Sequence, residues 1–262
     1  MSSALLLAMW LASASTEGQR PTQGSSASAA APHANSAAEL LRLADIPRKA
    51  LVNTEVEVQT TVSQEGKPDR SFGMKVYIGS ENRELVIFTD AKDRGRKFLM
   101  SGNRTWLLVS GSKHPIAISP NQRMVGSFSF ADLARILLST DFSGVLRQKQ
   151  EPCGASAKLV NESCSVVDIT ATSRIAPYAS GTLWIDAHGL LQRAIYALPS
   201  GKTDKEVEYS YSELDGKPVF LAMKITDLLM PAEHLVTTLK FGEPRPSHFS
   251  DQQFEPEYAL TH

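Results

Sequence analysis

A mainly β fold with a few helices follows from three features of the sequence. From Leu51 onward apolar and polar residues alternate in run after run, the mark of strands with one buried face. The runs are separated by short Gly, Asn, Asp and Pro turns at hairpin spacing, which predicts antiparallel neighbours. Only two stretches carry a helical apolar period, so about ten to twelve strands are expected beside two ordered helices.

Met1 to Ser15 read MSSALLLAMWLASAS, a short apolar run followed by Ala12-Ser13-Ala14, the small-residue pattern of a cleaved export signal over 1–14. No cysteine follows the run, so lipidation of this chain is not expected. Residues 15–35 are rich in Ser, Ala, Gly and Pro without a hydrophobic period and read as a flexible linker. Order is expected from Ser36. Ser36 and Glu39 make a capping box for a first helix with the apolar stripe Leu40, Leu41, Leu43 and Ala44, which Pro47 ends.

Thr54, Val56, Val58, Thr60 and Val62 then alternate with polar neighbours, and after the turn EGKPD come Phe72, Met74, Val76 and Ile78. ELVIFTD, RKFLMSG, TWLLVSG and PIAIS continue the series as an antiparallel meander. PNQRMVGSFSFADLARILL interrupts it. There Ser129 and Asp132 resemble a helix start, and Phe130, Leu133, Ala134, Leu137 and Leu138 follow a 3.6-residue period, predicting the second helix. Seven more strand-like runs follow, from GVLRQKQ to HLVTTLKFG. Among them WIDAHGLLQR predicts a hairpin with Gly189 at positive φ. The globular domain is expected to span 36–250, with a C-terminal tail over 251–262.

The chain has 262 residues, 27 Lys plus Arg against 28 Asp plus Glu, so no global field points to nucleic acid or an acidic substrate. Arg94, Arg96, Lys97 and Arg104 cluster, but without the aromatic platforms that single-stranded nucleic acid would need. Beyond the first run, no stretch approaches the roughly 18 apolar residues of a membrane span. Cys153 and Cys164, the only cysteines, are eleven positions apart, which in an exported chain predicts a local disulfide. The scattered histidines form no metal-ligand spacing, and neither a metal nor a cofactor is expected. Asp186 and His188 would be the only seed of a Ser/His/Asp hydrolase, but they fall at a hairpin tip and no G-x-S-x-G elbow accompanies them. With no glycine-rich phosphate loop either, no enzymatic activity is expected.

Ten strands at about 4.8 Å each make a sheet roughly 40 Å wide, which two short helices cannot cover. Either the sheet closes into a filled barrel, or it curls around a cavity partly lidded by the helices. Pattern alone leaves both open.

Asp93-Arg94-Gly95-Arg96-Lys97-Phe98-Leu99, the Trp106-Leu107-Leu108 strand, Pro115, Ile118-Ser119 and Asn121-Gln122-Arg123 precede Gly126, Phe128, Phe130, Ala131, Asp132 and Leu133. In these residues and spacings the chain resembles the outer-membrane lipoprotein-sorting protein family, the LolA/LolB-like lipoprotein carriers. Strand and helix order over roughly 50–245 is similar as well. The turn VSGSKHP and the cysteine pair depart from the family's pattern.

The resemblance implies an incomplete, strongly curved antiparallel β-barrel (LolA-like) with a helical lid over an apolar cavity. It implies a monomeric periplasmic carrier that binds lipid or lipoprotein acyl chains without chemistry, in exchange with an inner-membrane transporter or outer-membrane acceptor. An accessory or sensor protein of the same fold, acting with an envelope transporter or an anti-sigma system, is the alternative. Expected cavity residues are the alternating apolar positions Val56, Val58, Met74, Val76, Leu85, Ile87, Phe98, Met100, Trp106 and Leu108. One bulge reverses every later inward assignment. Expected lid residues are Leu40, Leu41 and Leu43 on the first helix and Phe130, Leu133 and Leu137 on the second, with Arg94, Arg96 and Arg123 at a polar gate or lipid headgroup.

Overall fold

The computed structural model describes residues 36–80, 82–90, 95–119, 121–132, 136–154, 159–174 and 176–262. The export signal, the linker, Arg94 and Leu133 lie outside them. Two short helices, α1 (Ala37–Ala44) and α2 (Ile46–Lys49), precede β1 (Thr54–Gln64), β2 (Lys67–Ile78), β3 (Arg83–Phe88), β4 (Arg96–Ser101), β5 (Arg104–Val109) and β6 (Ile116–Ile118). The small hairpin of β7 (Arg123–Val125) and β8 (Phe128–Ser129) follows, then α3 (Leu138–Asp141), β9 (Phe142–Leu146) and β10 (Glu151–Pro152). The second half holds β11 (Ser163–Ala171), β12 (Ser180–Ile185), β13 (Leu191–Ala197), β14 (Thr203–Leu214), β15 (Lys217–Asp227), β16 (Val236–Phe241), β17 (Arg245–Pro246) and α4 (Pro256–Thr261).

Fifteen of these strands form one curved antiparallel sheet in the order β10-β11-β12-β13-β14-β15-β16-β1-β2-β3-β4-β5-β6, with β9 on β11 and β17 on β1. It does not close into a barrel, which decides between the two architectures the alternation left open. β16 pairs with β1, so the first and last long strands meet in the middle of the sheet and hold its halves together.

Alternation translates directly into two faces. Val62, Thr237, Ile225, Val207, Ala194, Leu183 and Val167 are successive cross-strand partners on the concave face. Val56, Val76, Val86, Phe98 and Leu107 form a second such row. Apart from the partly buried Leu107, every side chain in these rows is buried. On the convex face, Val166, Trp184 and Leu159 surround the disulfide between Cys153 and Cys164, whose Cα atoms are 5.0 Å apart. Leu99 and Leu108 pack there against Phe254 and Ala259 from the C-terminal segment.

Among the described residues twelve strands have five or more residues, in line with the ten to twelve expected from the sequence. The other five (β6, β7, β8, β10 and β17) have two or three residues, too few to show a period. Pro47 does not end a helix: α1 stops at Ala44, and Pro47 stands in the first turn of α2, where its missing N–H costs nothing. The helix expected over Phe130–Leu138 is broken. Phe130 to Asp132 form a helical turn, Leu137 is extended (φ −105°, ψ 102°), and α3 begins only at Leu138. The segment read as a C-terminal tail carries a 3-10 turn over Asp251–Phe254 and then α4. No helix among the described residues is long and apolar enough to cross a membrane.

Candidate functional site

The concave face is covered by α1, α2, the β7–β8 hairpin, the turn at Phe130 and α3. Ser36 caps α1 by accepting a hydrogen bond from Glu39 N at 3.2 Å, and Leu40, Leu41 and Ala44 point inward. The half-buried Leu43 reaches the β12–β13 turn, where a Cβ on Gly189 (φ +80°) would stand 2.6 Å from it. The hairpin tip is seated on the sheet. A Cβ on Gly126 (φ +55°) would lie 2.3 Å from Thr237 Oγ1, and Ser127 N donates to that same oxygen at 3.0 Å. Met124, Val125, Phe128, Phe130, Ile136 and Leu138 thus join the core cluster of the concave face.

Beneath this apolar cover runs a buried polar network. Lys205 Nζ on β14 donates to Asp132 Oδ2 (2.9 Å) and to Ser127 O (2.8 Å), and both side chains of the ion pair are at most 3% exposed. Asp132 also accepts from Tyr178 Oη (2.6 Å) and Ser129 N (2.8 Å). Arg48 on α2 donates to Asp132 O at 3.2 Å, and its guanidinium lies 5.3 Å from the Phe220 ring centre. Burial alone would lower the pKa of Arg48, but the surrounding Tyr209, Tyr196, Tyr211 and Asp45 raise it, so it stays charged. Asp45 accepts from Leu138 N (2.8 Å) and Ser139 N (3.0 Å), which ties α1 and α2 to α3. The cover is therefore fastened to the sheet and to itself through a few charged groups rather than through strand pairing.

At the α2 end of the concave face a cavity of about 310 Å³ opens between α2 and the β2–β3 turn, walled by Val52, Ile78, Met100 and Leu137. Arg48, Lys49 and Arg83 also line it. Glu84 on β3 lines it too, fully buried, with neither carboxylate oxygen hydrogen-bonded. Burial pushes its pKa well above the usual carboxylate range, against the opposing charge of Arg48.

The expected cavity residues divide between the faces. Val56, Val58, Met74, Val76, Phe98 and Met100 are buried on the concave side. Leu85, Ile87, Trp106 and Leu108 are not: Leu85 pairs across with Leu99, Leu99 with Trp106, Ile87 with Lys97 and Lys97 with Leu108, all on the convex side. That side is covered by the C-terminal segment, so these strands are apolar on both faces and their parity is invisible to alternation. Their inward neighbours are Val86 and Phe88 on β3 and Leu107 on β5.

Of the expected lid residues, Leu40, Leu41 and Phe130 are buried against the sheet, while Leu137 is partly exposed at the cavity rim and outside any helix. Of the expected gate residues, Arg96 lies 5.6 Å from Phe88 and 5.3 Å from Phe98 at the mouth of the concave face. Arg123 pairs with Asp227 and with Asp204 (3.4 Å), fastening the hairpin to β14 and β15. The arginine that holds the cover is instead Arg48, through Asp132 O, and it was not among the expected gate residues. The signal available was a pair of basic residues, Arg48 and Lys49, between Pro47 and the first strand. Asp186 accepts from His188 N (2.8 Å), Leu190 N (2.9 Å) and the Gln192 amide (2.7 Å), so its carboxylate shapes the turn and does not orient the His188 ring.

No protein-family model matches the chain, and no curated protein matches it. In structure it is similar to a LolA superfamily protein from Nitrosomonas europaea (TM-score 0.74, 21% identity, covering 86% of this chain and 100% of that one). It is also similar to an outer membrane lipoprotein-sorting protein domain from Vibrio parahaemolyticus (TM-score 0.66, 17% identity, 85% and 98% covered). A DUF1329 family protein from Desulfovibrio piger matches comparably (TM-score 0.66, 19% identity, 84% and 97% covered). The chain thus has the LolA-like fold.

Proposed function

We propose that this LolA-like chain is an exported, non-catalytic carrier that takes up acyl chains of a lipid or lipoprotein between the concave face and its cover. The observation that carries the reading is the nature of that cover: side chains such as Phe128, Phe130 and Leu40 fill the concavity, yet the segments bearing them are joined to the sheet by a handful of polar contacts. Moving an acyl chain out of water is worth about 0.8 kcal/mol per CH₂. If the cover swings outward as the chain enters, lid contacts are exchanged for ligand contacts and the net change is small, which suits reversible loading. The likeness in fold to the lipoprotein-sorting protein domain from Vibrio parahaemolyticus supports this reading. The disulfide supports an oxidising compartment, the periplasm for a carrier of this kind. Its partners would be an inner-membrane donor and an outer-membrane acceptor.

Organic extraction of protein purified from its own envelope, followed by mass spectrometry, is expected to yield acyl lipid or acylated peptide. Titration of the stripped protein with a fluorescent fatty-acid analogue is expected to saturate. Neither bound acyl material nor saturable uptake would remove the proposal.

A further inference from the structure

Among the described residues, Glu84 stands apart from the other ionisable side chains buried on the concave face; the Thr60 hydroxyl there also lacks a partner, but it carries no charge to bury. Buried polar side chains are normally hydrogen-bonded, and leaving one unpaired costs on the order of 1–3 kcal/mol. Lys205, Asp132, Asp45 and Arg48 all meet partners, whereas both Glu84 oxygens meet none. Its cross-strand neighbours are Ile78 and Met100, an apolar setting in which a carboxyl gains nothing structurally. It also lines the cavity that opens beside α2, where the exposed Val52 forms the rim. At about 310 Å³ that space is at the small end for a ligand pocket, enough for the first part of one chain and not for a whole multi-chain lipid.

We propose that Glu84 is the polar end of an acyl subsite, where its neutral carboxyl donates a hydrogen bond to the ester or amide carbonyl that heads the chain. This rests on the carrier reading and names the part of the ligand recognised. A neutral carboxyl carries one O–H donor, and a carbonyl at the end of a hydrocarbon tail is a complementary acceptor with an apolar continuation. Raised by burial, the carboxyl pKa favours the protonated donor form. Arg48, on the same cavity wall, adds positive charge that favours a carbonyl or carboxyl oxygen.

The test compares wild type, E84Q and E84L, each as the full chain, with three probes: monopalmitoylglycerol (ester), an N-palmitoyl peptide (amide) and hexadecane (no carbonyl), each competing with a fluorescent fatty-acid analogue. E84L is expected to bind the carbonyl probes about tenfold more weakly, the loss of one net hydrogen bond, with hexadecane unchanged. E84Q keeps an N–H donor and is expected to lose less than about threefold. The ester carbonyl stretch should fall in frequency on binding to wild type and not to E84L. Stripped E84L should melt above wild type, because its unpaired group is gone. Stronger binding of ester than amide would assign the subsite to lipid, the reverse to an acylated protein; either supports the proposal. Equal carbonyl binding by wild type and E84L, or a lower melting temperature for E84L, overturns the subsite and leaves the carrier standing. Failure of wild type to bind any probe overturns both.

Discussion

On the concave side the cover is fastened through buried charge, with Lys205, Asp132 and Arg48 at its centre; on the convex side α4 and the disulfide loop are held by apolar contact and one covalent bond, with polar contacts such as Lys97 Nζ to Ala259 O (2.9 Å) only at the partly exposed edge. The difference matters because the two kinds of fastening answer differently to change. A buried ion pair gives little net stability over an apolar pair of the same shape, yet its geometry is all-or-none. Apolar packing loses stability gradually, in proportion to what is removed. A cover that must open and close in a defined way suits the first; a permanent cover suits the second.

The sharpest way to break this contrast is Lys205→Ala. It leaves Asp132 buried without its cation, and the expected loss is about 3–5 kcal/mol in urea unfolding. In the double variant with Asp132→Asn the orphaned charge is gone, and most of that loss should be recovered. If K205A costs no more than a surface lysine, the concave cover is not held as described.

The convex counterpart is Cys153→Ser with Cys164→Ser. Opening this eleven-residue separation is expected to cost about 2–3 kcal/mol, through a less restricted unfolded chain, with acyl binding unchanged. Reduced acyl uptake in that variant would show that the two covers are coupled through the sheet.

These two variants also mark what the sequence made legible. Val56, Val58, Met74 and Val76 could be placed inward because β1 and β2 alternate cleanly with Glu57, Gln59 and Lys75. Leu85, Ile87, Trp106 and Leu108 could not, because α4 gives their strands a second buried face and so erases the alternation. The disulfide was legible from spacing and expected compartment alone. Lys205, Asp132 and Tyr178 were not. They are far apart in the chain, and a lysine in the strand-like run KEVEYSYSEL reads as an ordinary solvated position until the hairpin carrying Asp132 is laid over it.

Glu84 should show itself in the pH dependence of stability. Its folded pKa lies above its unfolded value, so above roughly pH 4.3 the unfolded chain releases a proton that the folded chain keeps. The folded state then loses up to about 1.4 kcal/mol per pH unit until the folded pKa is reached. The charged groups that line the cavity with it are Arg48, Lys49 and Arg83, of which Arg48 acts on Glu84 directly and opposes the rise. The stability advantage of E84L over wild type should therefore widen from pH 4 towards neutrality; a constant difference would mean that Glu84 is ionised in the folded protein.

The smallest change reads the concave cover alone. Ser36→Ala removes the cap of α1 and is expected to cost about 1 kcal/mol. Helix α1 packs through Ala37, Leu40 and Leu41 in the concave core, with Ala37 and Leu41 near Gly144 on β9 and Leu43 near Gly189, and none of its residues belongs to the convex clusters. If the cover opens as a unit fastened by charge, fraying one end of α1 should raise the rate of uptake of the fluorescent fatty-acid analogue while affinity at saturation changes little. If instead α1 is a fixed part of the core, the same 1 kcal/mol will appear only in unfolding, and the uptake rate will match wild type. Stopped-flow uptake beside urea unfolding on the same preparation separates the two.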